Sequence, residues 1–230
     1  MTLSNESRAR VKAVFEPIAL AMGRLGLTPD GLTVIGFGIT VVGAILLASG
    51  LWLVGGLVVF FGGVFDMFDG TLARATGRVS KLGAFMDSVF DRWGEAAVYL
   101  GIVVASSRAS LVLGASLAAA AMGSAFMVSY TRAKSEGLGF TAGTGMAEVG
   151  LMPREVRLVV LSAGLVVAGV LGVPAKDLVD GALVLEASLA IIAALATVTV
   201  IQRILVVRRQ AALGPSDGST VAGPRSKESR

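Results

Sequence analysis

Six apolar runs of near-bilayer length punctuate the sequence, at about 31–50, 52–73, 84–107, 109–131, 156–173 and 182–206. An α-helix needs ~20 apolar residues to cross ~30 Å of hydrocarbon. In lipid, only structures that satisfy their own backbone polar groups can span. With 54% of 230 residues hydrophobic, the chain is too apolar and too segmented for an ordinary soluble domain. The expected fold is therefore an all-α integral membrane protein of six transmembrane helices, preceded by an N-terminal amphipathic surface helix. Thr28 and Pro29 open the first span as its N-cap and first helical residue. The third run is polar in its first half, which carries Asp87, Asp91, Arg92 and Glu95. Such a half-helix is tolerable inside a bundle or beside a water-filled cavity, but not against lipid.

Residues 1–24 lack a continuous apolar core and a small-residue cleavage site, so no signal peptide is expected there. Val11, Val14, Phe15, Ile18 and Met22 recur at intervals of three and four, the pattern of a helix lying on a membrane surface. An amphipathic helix packed on protein would show the same stripe. Lys and Arg concentrate on one side of the predicted spans: Arg8, Arg10, Lys12 and Arg24, then Arg74, Arg78 and Lys81, then Arg132, Lys134, Arg154 and Arg157, then Arg208 and Arg209. The other side has little beyond Arg108 and Lys176. By the positive-inside rule both termini are expected in the cytoplasm of a multi-pass cell-membrane protein. Residues 25–209 form the membrane domain in this reading, and 210–230 a disordered cytoplasmic tail. No internal repeat is visible, and so no inverted-repeat transporter signature.

The chain contains neither cysteine nor histidine. Any metal must therefore be held by oxygen, which points to Mg²⁺, Mn²⁺ or Ca²⁺, and acid–base chemistry must come from a carboxylate. Oxygen ligands are concentrated in one block, Asp66-x-x-Asp69-Gly70-x-x-Ala73-Arg74 followed by Gly83-x-x-x-Asp87-x-x-x-Asp91. Ionised carboxylates at membrane depth cost a few kcal/mol and usually mark function. Spacings of three and four put each pair on one face of its helix. Four carboxylates converging from two helices make a site for hard divalent cations. A plainer alternative has the aspartates pairing with Arg74, Arg78, Lys81 and Arg92 to hold two helices together. That leaves the spacing and the glycines unexplained.

The block resembles the signature of the CDP-alcohol phosphotransferases, D-x-x-D-G-x-x-A-R-x(8)-G-x-x-x-D-x-x-x-D, with every fixed position present. The resemblance implies an integral membrane enzyme of phospholipid synthesis that displaces CMP from a CDP-linked donor such as CDP-diacylglycerol. It implies two Mg²⁺ ions, with Mn²⁺ as an alternative, on Asp66, Asp69, Asp87 and Asp91. Asp91 is in addition the base for the acceptor hydroxyl. Gly70, Ala73, Arg74 and Gly83 are implied to surround the CDP group. Asp30 and Thr33 either join them or simply start a helix. A homodimer in lipid is also implied, and no nucleic-acid partner is expected.

A second group bears on the acceptor. Ser129, Arg132 and Lys134 end the fourth span, Arg154 begins the fifth, and Arg203 lies near the end of the sixth. These segments are similar to phosphatidylinositol-phosphate and archaetidylinositol-phosphate synthases, which implies a basic pocket for inositol 1-phosphate. Positive-inside statistics alone would also place basic residues here. The middle of Arg154-Glu155-Val156-Arg157 departs from the subfamily's R-P-E-R, so glycerol 3-phosphate stands as the alternative acceptor. The non-enzyme alternative is a cation transporter, which would need polar residues in both halves of the membrane rather than at one side.

Overall fold

The computed structural model describes residues 5–140, 146, 149–172 and 179–213. Among these, seven helices follow one another: α1 Asn5–Arg24, α2 Pro29–Ala48, α3 Trp52–Ala75, α4 Lys81–Arg108, α5 Val112–Gly137, α6 Arg154–Gly172 and α7 Val179–Leu213. The first transmembrane-length helix starts as its sequence dictates. Thr28 caps α2 by accepting from the Gly31 N–H at 3.1 Å, and Pro29 is the first helical residue.

Five helices, α2, α3, α5, α6 and α7, are long and apolar enough to cross a membrane. The fourth helix, α4, has 28 residues but carries Lys81, Asp87, Asp91, Arg92 and Glu95 towards its start and does not qualify on composition. Two ends run past the apolar stretches. The fifth helix continues beyond residue 131 to Gly137 and stops only where Gly139 takes a φ of 81°, with the Phe140 N–H returning to Ser135 O at 2.9 Å. Gln210–Leu213, placed by sequence in a disordered tail, extend α7. Ala and Leu favour helix whether or not they lie in lipid. The rest of the expected tail, the side chains of Arg8, Arg10 and Lys12, and Lys176 lie outside the described residues.

Helix packing closes α2–α7 into a ring. Its order is α2, α3, α6, α7, α5, α4 and back to α2, while α1 docks on α3. A continuous apolar core fills the ring, with Leu47, Tyr99, Ile102, Leu165, Leu189 and Ile192 fully buried. Small residues let backbones approach where side chains would hold them apart. A Cβ on Gly101 of α4 would collide with the Ala44 carbonyl of α2, and one on Gly169 of α6 with the Leu53 backbone of α3. The third and fourth helices both pack along α2 and scarcely touch each other. Their connection turns at Gly77, φ 66°, and restarts at Ser80, whose hydroxyl accepts from the Gly83 N–H at 2.9 Å.

The amphipathic stripe of α1 divides. Phe15 stacks near Phe68 with ring centroids 5.0 Å apart, and Ala19 is buried with Leu32 and Leu72, with Met22 against them. Val14 and Ile18 stay exposed. One edge of the stripe therefore packs on protein, leaving the other for a different surface.

Alternating helix direction puts the N-termini of α2, α4 and α6 and the C-termini of α3, α5 and α7 at one end of the ring. With no native cysteine, single cysteines test this directly. Residues substituted at Val79 and Leu138, both exposed, should react with an impermeant thiol reagent from one side of the membrane, and at Ser107 from the other. Labelling of all three from one side would contradict the ring's alternation.

Candidate metal and nucleotide site

Four charged helix ends meet at this mouth of the ring. Asp66 and Asp69 come from the last turns of α3, and Asp87 and Asp91 from the first turns of α4, where their four-residue spacing puts the latter two on one helix face. Carboxylate oxygens of Asp66, Asp69 and Asp87 lie within 4.8 Å of one another. An all-oxygen donor set this close suits a hard divalent cation. Asp69 is the most enclosed of the four, 7% exposed, and is held in place: Thr33 Oγ1 of α2 donates to its Oδ2 at 2.5 Å, and the Gly70 N–H donates to Oδ1.

The fourth aspartate is placed differently. Asp91 falls outside that three-carboxylate group and takes Arg154 Nη2 at 2.6 Å and Arg92 Nη2 at 3.3 Å. Arg154, at the start of α6, also donates from Nη1 to Asp66 Oδ2 at 2.9 Å, so one guanidinium bridges the two halves of the motif. The chain of charges continues inward. Arg92 reaches Glu95 at 2.8 Å, and Arg157 donates to both Glu95 oxygens at 2.8 and 3.0 Å. Asp66, Arg154, Asp91, Arg92, Glu95 and Arg157 thus alternate in sign, three of each. Among the described residues, neither Asp69 nor Asp87 forms an ion pair. Their two negative charges are what the network leaves over.

Two cavities meet at these carboxylates. The smaller, about 260 Å³, is lined by Asp30, Thr33, Gly70, Ala73, Arg74 and Gly83, the complete nucleotide set of the sequence. The larger, about 900 Å³, reaches Asp66, Asp91, Arg132 and Arg154, and is bordered by Glu16 of α1 and Glu155 of α6. Asp69, Gly70, Arg74 and Asp87 belong to both. The glycines have steric reasons: a Cβ at Gly70 would sit 3.1 Å from the Arg74 guanidinium, and at Gly83 3.1 Å from the Asp30 carboxylate. The helix N-termini of α2 and α4 flank the smaller cavity, which favours anionic ligands there.

The expected acceptor residues do not all gather. Arg132 and Arg154 line the large cavity, but Ser129, Lys134 and Arg203 do not. Ser129 accepts from Arg92 Nη1 at 2.6 Å. Lys134 points to an exposed surface, and Arg132 pairs with Glu136 at 3.1 Å. Arg203 is 3% exposed and spends its guanidinium on backbone carbonyls, Nε on Val149 O at 3.0 Å and Nη1 on Val128 O. It ties the connection before α6 onto α5, a need that sequence distance conceals. The alternative partners Arg74, Arg78 and Lys81 are not those that pair with the aspartates; Arg74 leans on Thr71. The sequence put Glu95 in the polar half of α4 and Arg157 beside Arg154, but showed neither that these two pair nor that Glu16 and Glu155 border the cavity.

This constellation, an oxygen-only cation site beside a cavity flanked by helix N-termini, suits a membrane-embedded protein that binds an anionic ligand with a divalent metal. The profile of the CDP-alcohol phosphatidyltransferases matches residues 26–201, and the chain belongs to that family of enzymes. Archaetidylinositol phosphate synthase of Pyrococcus horikoshii is 34% identical over 67% of this chain and 77% of its own length. Phosphatidylinositol phosphate synthase of Mycobacteroides abscessus is 33% identical over 74% of this chain and 75% of its own. Among solved structures, Mycobacterium tuberculosis phosphatidylinositol phosphate synthase with CDP-DAG bound superposes with a TM-score of 0.71 at 29% identity, covering 85% of this chain and 94% of that one. The same enzyme with manganese and citrate gives 0.72 at 28% identity, covering 84% and 88%.

The Glu95–Arg157 pair yields a stability prediction. Arg157 is 2% exposed, and breaking a buried pair from one side costs ~3–5 kcal/mol because a charge is left uncompensated. Glu95→Gln should therefore lower the thermal midpoint of the detergent-purified protein far more than Arg132→Gln, whose pair with Glu136 is exposed. Equal midpoints for the two variants would contradict a supporting role for the buried pair.

Proposed function

We propose that this protein transfers the phosphatidyl group of CDP-diacylglycerol to the hydroxyl of inositol 1-phosphate, releasing CMP. The observation that carries the reading is the meeting of two cavities at one carboxylate cluster, a nucleotide-sized space on one side and a larger space reached by arginines on the other. The names of its relatives favour the inositol phosphate acceptor over glycerol 3-phosphate. In this reading Asp66, Asp69, Asp87 and Asp91 hold two Mg²⁺ or Mn²⁺ ions. Bound there, such ions neutralise a pyrophosphate and stabilise attacking and leaving oxygens of an in-line displacement. The manganese in the mycobacterial structure and the three close carboxylates support the metal assignment.

The remaining work falls to the chain's own residues. Gly70, Ala73 and Gly83 leave room for the cytidine nucleotide, Arg74 meets a phosphate, and Asp30 and Thr33 form the floor. Thr33 orients Asp69 by its hydrogen bond. Asp91 takes the proton of the acceptor hydroxyl, and its position, not its basicity, makes it effective. Arg154 and Arg132 receive the acceptor phosphate, with Ser129 and Lys134 nearby on α5. Arg203 supports them by anchoring the connection before α6. The fourth helix is a sixth span whose polar half faces the ring's mouth, and that mouth opens to the cytoplasm, where a water-soluble acceptor is found. The protein acts as a homodimer in the cell membrane.

The test is CMP release by purified protein supplied with CDP-diacylglycerol, Mg²⁺ and one acceptor at a time. Inositol 1-phosphate should support turnover, and free inositol should not. Turnover with glycerol 3-phosphate alone would reassign the acceptor. EDTA and Asp69→Asn should each abolish activity. Asp91→Asn should lower kcat by at least a hundredfold, as loss of general-base catalysis does, with metal binding largely retained. Near-normal turnover of Asp91→Asn would refute its role as base.

A further inference from the structure

Arg154 carries two assignments that it cannot meet at once. Its Nη1 and Nη2 are spent on Asp66 Oδ2 at 2.9 Å and Asp91 Oδ1 at 2.6 Å. In the proposed function the same guanidinium grips the acceptor phosphate, and the same carboxylates hold cations. The charges decide which exchange must occur. Asp69 and Asp87 are free of ion pairs among the described residues, so one divalent cation finds two uncompensated charges there beside Asp66, of which Arg154 occupies one oxygen, Oδ2. A second cation drawing on Asp66 or Asp91 meets carboxylates already neutralised by Arg154, and Arg92 also engages Asp91.

We infer that Arg154 and the second divalent cation are alternative partners of Asp66 and Asp91, so that this cation and the acceptor phosphate bind cooperatively through the release and re-use of one guanidinium. The cation frees Arg154, and the phosphate gives the freed guanidinium a new bidentate partner of the kind it favours. By linkage the coupling is reciprocal: acceptor must tighten the second cation as much as that cation tightens acceptor. The arginine is well placed for this. It lies on the first turn of α6, its side chain is 34% exposed, and it borders the 900 Å³ cavity, so it can swing into that space without unpacking the core. Arg157, one turn further on, is locked on Glu95 and 2% exposed, and is not available for the exchange.

This inference rests on the proposed function, and the experiment separates the two. Mn²⁺ binding to the full chain in lipid nanodiscs is followed by electron paramagnetic resonance of the free ion, with and without saturating inositol 1-phosphate and without CDP-diacylglycerol. Wild type should show a tighter and a weaker site, with the weaker one tightened about tenfold by inositol 1-phosphate. Arg154→Gln should tighten the weaker site about tenfold in the absence of acceptor and abolish the acceptor's effect. Arg154→Lys keeps the charge but cannot bridge two carboxylates, and should also bind the second Mn²⁺ more tightly than wild type. A non-specific field effect would leave Arg154→Lys like wild type, which would overturn the inference. So would a second site that ignores inositol 1-phosphate in the wild type, a measurement that needs no variant. Mn²⁺ binding insensitive to Asp69→Asn would overturn both the inference and the metal reading beneath it.

Discussion

Ionised side chains inside a membrane protein are tolerated only when paired or wetted, and this molecule uses both solutions at one end of its helix ring. An alternating chain of three carboxylates and three guanidiniums runs from the mouth inward, from Asp66 to Arg157. Where it ends, the interior is apolar, with Tyr99, Ile102 and Leu165 fully buried. Where it begins, the cavities bring space and polarity. The site is therefore the exposed terminus of a structural network. Its leftover charge, on Asp69 and Asp87, is the part that a ligand must balance.

Neutrality of that network also explains why the arginines are arginines. Arg157 satisfies both oxygens of Glu95 and still reaches Met152 O at 3.0 Å, and Arg154 spans two carboxylates on different helices. A lysine offers one point of charge and could close neither pair of contacts at the same time. The fork of the guanidinium is used as a cross-brace between α3, α4 and α6. Contacts of this kind join the helices at the one end where small apolar residues cannot do so.

Much of this was legible in the sequence because the signals are local. The Thr28 cap with Pro29, the runs of bilayer length and the three- and four-residue spacing of the aspartates each involve neighbours along one helix. The residues expected around the CDP group line one cavity, and four of the six lie on the two consecutive helix ends of α3 and α4. What could not be read involves distance or a change of environment. Arg154 meets Asp66 across 88 positions, and Ser129 meets Arg92 across 37. Arg203 resembles any other basic residue near a span end until its carbonyl partners are seen. Hydropathy marks where lipid stops rather than where a helix does, and so α5 and α7 outran their apolar runs. In α1 the regular stripe concealed two surfaces, one edge on Phe68 and Leu72 and the other turned away from the protein.

The wedge of α2 between α3 and α4 has a consequence for how such a site varies. The helix α2 between them sets how far apart the α3 and α4 backbones stand, and the carboxylates of Asp66, Asp69 and Asp87 close that gap to within 4.8 Å. A methyl group added far away at Gly101, against the Ala44 carbonyl, would therefore push α4 off α2 and shift the carboxylates it carries. The gauge of the site is kept by residues that never see the substrate.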